Sequence, residues 1–114
     1  MTTVAAVEFA LIELKSGVCE AVILEAGDVY VQAAMDGHDN FRVEAISDQF
    51  LPERLTPDQL RQLVDRKFRA PSKHDGPNNW QQVPADPKAA AELLADTLIS
   101  VYGQALADAQ IVRP

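Results

Sequence analysis

Three short apolar runs separated by two tight turns constrain the first half of the chain more than any other feature. Residues 18–25 are apolar and β-branched and read as a strand. Ala26-Gly27-Asp28 supplies a turn. Residues 29–35 follow, with Val29, Val31, Ala33 and Met35 on one side and Tyr30, Gln32 and Ala34 on the other, because alternate side chains of a strand leave opposite faces. Asp36-Gly37-His38-Asp39-Asn40 is a strong turn signal. Residues 41–47 give a third strand, with Phe41, Val43 and Ala45 inward and Arg42, Glu44 and Ile46 on the opposite face. Connections this short join only neighbouring antiparallel strands, so the stretch is expected to be a three-stranded meander. Such a sheet must have one face covered, and the helices predicted elsewhere are the available cover.

Residues 3–15 read as the first helix. Val4, Val7, Leu11 and Leu14 recur at helical spacing, and Ala5, Phe9 and Ile12 form a second stripe beside them. That arc is wider than one sheet face needs, and Gly17 is its stop. Thr56-Pro57-Asp58-Gln59 matches a helix start position by position: Thr56 caps, Pro57 opens, and Gln59 reaches back in a capping box, with Leu55 and Leu60 as a hydrophobic staple. Leu60, Leu63, Val64 and Phe68 are its expected buried stripe. Arg66, Lys67 and Arg69 suit the negative end of the macrodipole, and Pro71 prevents continuation. Residues 70–86, rich in Pro, Asn and Gly, read as a loop anchored to the core by Trp80. Asp86-Pro87 opens a last helix that buries Ala90, Leu93, Leu94, Thr97, Leu98 and Val101. Gly103 is its end or a weak point in it, and residues 111–114 are a frayed tail. The expected architecture is one α+β domain over 1–114, with its core in about 4–106: an N-terminal helix, the meander, and two further helices packed on one sheet face.

Seventeen acidic against ten basic residues give a net charge of −7 and a pI near 4.6. That balance repels phosphate backbones and argues against nucleic acid as a partner. The acids are concentrated: residues 1–48 carry nine against two bases, whereas residues 49–76 carry six bases against four acids. An acidic surface on the first helix and meander serves solubility or meets a basic or polar protein partner. No apolar run reaches the roughly 18 to 20 residues of a membrane span. The N-terminal stretch carries Glu8 and Glu13 and has no basic region before it, unlike a secretory leader. A single cysteine, Cys19, forms no internal disulfide. A cytoplasmic protein is expected, without membrane or cofactor.

Few residues suggest chemistry. His38 with Asp36 and Asp39 has metal-ligand or acid–base composition, but turn geometry accounts for the same residues. His74 beside Asp75 has no predicted partner. Cys19, mid-strand among apolar neighbours, reads as a small core residue rather than a nucleophile. The basic run Arg66, Lys67, Arg69 and Lys73 has the composition of a phosphate site, yet helix termination explains three of its four charges. No catalytic metal, serine-nucleophile or nucleotide-loop motif is present.

One ordered series of motifs carries more. Tyr30-Val31-Gln32, then Arg42-Val43-Glu44-Ala45-Ile46-Ser47-Asp48-Gln49-Phe50-Leu51, then Leu55-Thr56-Pro57-Asp58-Gln59-Leu60, with Pro71, Asn79-Trp80 and Val101-Tyr102-Gly103, resembles the actinobacterial TY-Chap domains, which are grouped with YbjN-like proteins and type III secretion chaperones. The resemblance covers roughly residues 5–103. It implies helices on one face of an antiparallel sheet, peptide or protein binding, frequent homodimers and no enzymatic activity. The family often has Gly followed by an aromatic where this chain has Lys67-Phe68, so a turn there is expected to give way to more helix. The resulting expectation is a small acidic, non-enzymatic, chaperone-like or adaptor module, homodimeric. Its contacts are expected at Tyr30, Gln32, Arg42, Glu44 and Ile46 on the uncovered sheet face, with Trp80 at the border. Two rival readings are a structural dimer within a larger assembly and a small-ligand protein or enzyme using the His38 and His74 loops.

Overall fold

A computed structural model describes all 114 residues. Helix α1 spans Val4–Lys15 and starts where Thr3 accepts a hydrogen bond from the Ala6 amide at 3.1 Å. It buries Val7, Ala10, Leu11 and Leu14. The second stripe read from the sequence stays in solvent: Phe9 is 59% and Ile12 44% exposed.

The strands are β1 (Val22–Ala26), β2 (Val29–Met35) and β3 (Asn40–Ala45), paired antiparallel as a meander. β1 starts four residues later than expected, so Cys19 lies ahead of it, half-buried against the core. The meander is the centre of a larger sheet. Residues 79–84, expected within a loop, form strand β4 (Asn79–Pro84) beside β3. The expected frayed tail contributes β5 (Gln110–Val112), which pairs with β1, and Pro114 accepts the Glu20 amide at 2.8 Å. The five-stranded order is β4-β3-β2-β1-β5.

The inner face carries Val22, Leu24, Val31, Ala33, Phe41, Val43 and Ala45, each fully buried. Against it lie α1 and helix α3 (Pro87–Asp96), side by side. α3 is capped by Asp86 and continues as one π-helical turn, Thr97–Val101, which packs on β2. Gly103, at φ +68°, ends it. The hydroxyl of Tyr102, just before that glycine, is buried and donates to the Ile46 carbonyl at 2.7 Å. Burial lifts its pKa far above the ordinary tyrosine value.

Helix α2 (Pro57–Asp65) opens with the expected capping box: the Gln59 amide donates to Thr56 Oγ1 at 3.1 Å and the Thr56 amide to Gln59 Oε1 at 2.9 Å. Only Leu63 of the helix, and Phe68 beyond it, are buried; Leu60 and Val64 are exposed, and the main packing partner of α2 is the π turn. The turn at Lys67-Phe68 is kept and not replaced by helix. Lys67 has φ +72° and is the one non-glycine residue in the left-handed region. Its amide donates to the Val64 carbonyl at 2.9 Å and the Phe68 amide to Leu63 at 3.0 Å, a Schellman closure with Phe68 and Leu63 both buried. Arg66, at the cap, pairs with Asp96 at 2.6 Å across to α3, a contact that holds the Asp96 carboxyl below its ordinary range.

Candidate functional site

The outer face of the sheet has no helix against it. Alternation along three strands brings Tyr30 and Gln32 of β2, Arg42 and Glu44 of β3 and Trp80 of β4 onto this face, all half-buried. The register places Gln32 opposite Glu44 and Glu44 opposite Trp80, so the side chains form a row across the strands. Ile46 is the exception. β3 ends at Ala45, the chain turns into a short 3₁₀ segment, and Ile46 is 2% exposed, with its carbonyl held by Tyr102. It is therefore a core residue and not part of the open face.

The row is organised around one carboxylate. Glu44 Oε1 accepts from Asn78 Nδ2 at 3.1 Å and from Gln32 Nε2 at 3.3 Å, and Oε2 accepts from Arg42 Nε at 3.0 Å. Asn78 Nδ2 also lies 2.9 Å from the Tyr30 hydroxyl. A second amino group of Arg42 donates to the Asp75 carbonyl, which ties the loop before β4 to the face. Three donors on one carboxylate fix four side chains in one conformation.

Trp80 is held differently. The Arg42 guanidinium lies 4.4 Å and that of Arg69 5.0 Å from the ring centroid, both within cation–π range. Arg69 reaches it through a backbone bridge: its amide donates to the Trp80 carbonyl at 2.7 Å, and the Trp80 amide donates back at 3.0 Å. Trp80 is thus a strand residue on the open face and not a loop residue folded back onto the core. Beside it, Asp36, Arg42, Lys67, Arg69, Gln81 and Gln82 line a cleft of about 400 Å³.

The sheet edges are less open than a bare meander would leave them. The Arg69 bridge covers β4 at Trp80, Pro84 has no amide to offer at its other end, and β5 is only three residues long. The largest cavity, about 450 Å³, lies between the Gly27-Asp28 turn and residues 51–56 and includes none of the six expected contact residues. His38 and His74 are exposed, and neither lines a cavity. No three His, Cys, Asp or Glu side chains come together as a metal-ligand group. Asn78 is the residue missed from sequence, masked by its Pro-Asn-Asn loop composition. Lys67 and Arg69, part of the basic run that helix termination accounts for in the sequence reading, lie beyond the end of α2 at Asp65.

The sheet thus carries helices on one face and an open polar row on the other. The sequence matches the TY-Chap3 family, described as T3SS (YopN, CesT) and YbjN peptide-binding chaperone 3, over residues 3–109. The chain belongs to that family of chaperone-like peptide-binding domains. No curated protein and no solved structure matches it. No helix is long and apolar enough to cross a membrane.

Proposed function

We propose that this protein is a non-enzymatic chaperone-like module that holds a segment of another protein against its outer sheet face, through Tyr30, Gln32, Arg42, Glu44 and Trp80. The observation that carries this reading is the ordered row around Glu44: side chains already fixed by mutual hydrogen bonds lose little freedom when a ligand lies on them. Trp80 and Tyr30 supply broad, rigid contact area at its two ends. Family membership supplies the ligand class. With both edges shortened, a peptide lying across the face is favoured over one added to an edge.

Homodimerisation belongs to the same proposal. Phe9 and Ile12, one helical step apart on α1, are 59% and 44% exposed, and a second copy is the simplest cover for such a stripe. One domain over residues 1–114 and a cytoplasmic location, where a lone thiol such as Cys19 stays reduced, complete it.

The test is a random-peptide selection followed by amide-resonance mapping with the selected ligand. Shifts concentrated at residues 30–34, 42–44 and 78–82 support the proposal; shifts confined to the cavity at residues 51–56 overturn it. For the dimer, sedimentation equilibrium at micromolar concentration should give twice the chain mass, and Phe9→Glu should halve it. A monomer at that concentration removes the dimer from the proposal.

A further inference from the structure

We infer that the cleft at the Trp80 end of the open face is a carboxylate subsite, and that the segment held there is acidic. The inference rests on the peptide-binding reading above and adds the chemical class of the ligand. Three elements deliver its cations: Arg42 from β3, Lys67 from the turn after α2, and Arg69 from the bridge to β4. Against them the lining holds one carboxylate, Asp36, whose Oδ2 accepts from Gln82 Nε2 at 3.0 Å. The nearest other acid on the face, Glu44, is paired with Arg42. Lys67 and Arg69 have no acidic partner, so their charges are available to a ligand. In a chain of net charge −7 this is a local reversal of sign.

The placement of Lys67 is the second observation. Its backbone sits at φ +72°, a conformation that costs an L-residue energy and glycine nothing. Termination of α2 needs the turn but not the lysine; the side chain that the strained backbone carries lines the cleft. The segment is also pinned on both sides. Gln81 Nε2 donates to the Arg66 carbonyl at 2.7 Å, and Arg69 is bridged to Trp80. The cations are therefore set by the backbone rather than drifting on a mobile loop. Two free cations beside an aromatic ring suit side-chain carboxylates spaced along a peptide, with the apolar part of the segment resting on Trp80. Asp36 in the lining disfavours the doubly charged phosphate relative to a carboxylate.

The experiment titrates the full chain with three blocked heptapeptides of alternating Val and Glu, Val and Gln, or Val and Lys, at low and at raised salt. The tryptophan emission of Trp80, the chain's one tryptophan, and calorimetry report binding. The Glu peptide should bind at least 10-fold more tightly than the Gln peptide, and salt should remove most of that difference. Lys67→Gly relieves the backbone, so it should raise the melting temperature while lowering Glu-peptide affinity 3- to 10-fold and leaving Gln-peptide affinity unchanged. Arg69→Gln should lower it similarly. Equal binding of Glu and Gln peptides, with both bound, overturns the carboxylate subsite and leaves the peptide-binding face standing. Binding of none of the three overturns both. Inorganic phosphate displacing the Glu peptide far better than acetate at equal ionic strength assigns the cleft to phosphate and overturns the inference.

Discussion

The two faces of the sheet are built from the same strands and obey opposite rules. On the inner face Val22, Leu24, Val31, Phe41 and Val43 are fully buried under α1 and α3 and have no polar atoms to satisfy. On the outer face Tyr30, Gln32, Arg42, Glu44 and Trp80 are half-buried, and nearly every polar group has a named partner. The inner face gains its stability from water exclusion, which is insensitive to the identity of neighbours as long as volume is kept. The outer face gains order from directional bonds, which are weak in net stability but fix side-chain positions. Strand alternation thus lets one layer provide the core on one side and a specific surface on the other.

The comparison can be broken hardest from the inside. Phe41→Ala removes a fully buried ring from near the start of β3 and should cost about 3–5 kcal/mol, read by chemical denaturation. Next is Tyr102→Phe, which deletes the donor to the Ile46 carbonyl where β3 leaves the sheet; about 1–2 kcal/mol is expected. This residue also sets a pH signature. Its pKa is raised on folding, so its contribution is complete below the ordinary value of 10.0 and is lost as pH rises above it; Tyr102→Phe should flatten the alkaline limb of the stability curve. Lys67→Gly should change stability in the other direction, by about 1 kcal/mol of stabilisation, since the left-handed backbone is kept and its cost removed. Glu44→Gln, on the outer face, should cost less than about 1 kcal/mol: one side-chain oxygen still accepts from Asn78 and Gln32, and only the part-exposed pair with Arg42 is lost. A loss comparable to that of Phe41→Ala there would erase the distinction between the faces.

The parts of this arrangement that are local in sequence were legible. β2 ends where its alternation ends, and the Thr56 capping box is complete within four residues. The open-face residues on β2 and β3 follow from the same alternation, apart from Ile46, where the strand stops one residue before the pattern does. The rest depends on pairing at a distance. β4 lies in a stretch whose Pro, Gly and Asn residues read as loop, and its strand character comes from β3 on one side and Arg69 on the other. β5 is too short to carry any periodicity and is a strand only because β1 is beside it. Leu60 and Val64 look like a buried stripe, yet α2 packs chiefly on the π turn, so the amphipathic pattern exceeds the surface available to cover it. The cleft is the extreme case: Arg42 lies 25 positions before Lys67 and 27 before Arg69, and it meets them only through β4.

Residues 110–112 do more for β1 than add bonds. Val22–Ala26 is a run of mostly apolar residues with an even flank of amides and carbonyls, the kind of border along which separate molecules zip into fibrils. The last strand occupies that border, and being only three residues long it offers almost nothing to the next molecule in line. β5 thus shields that border from self-templating, and removing residues 110–114 is expected to raise aggregation, read by light scattering.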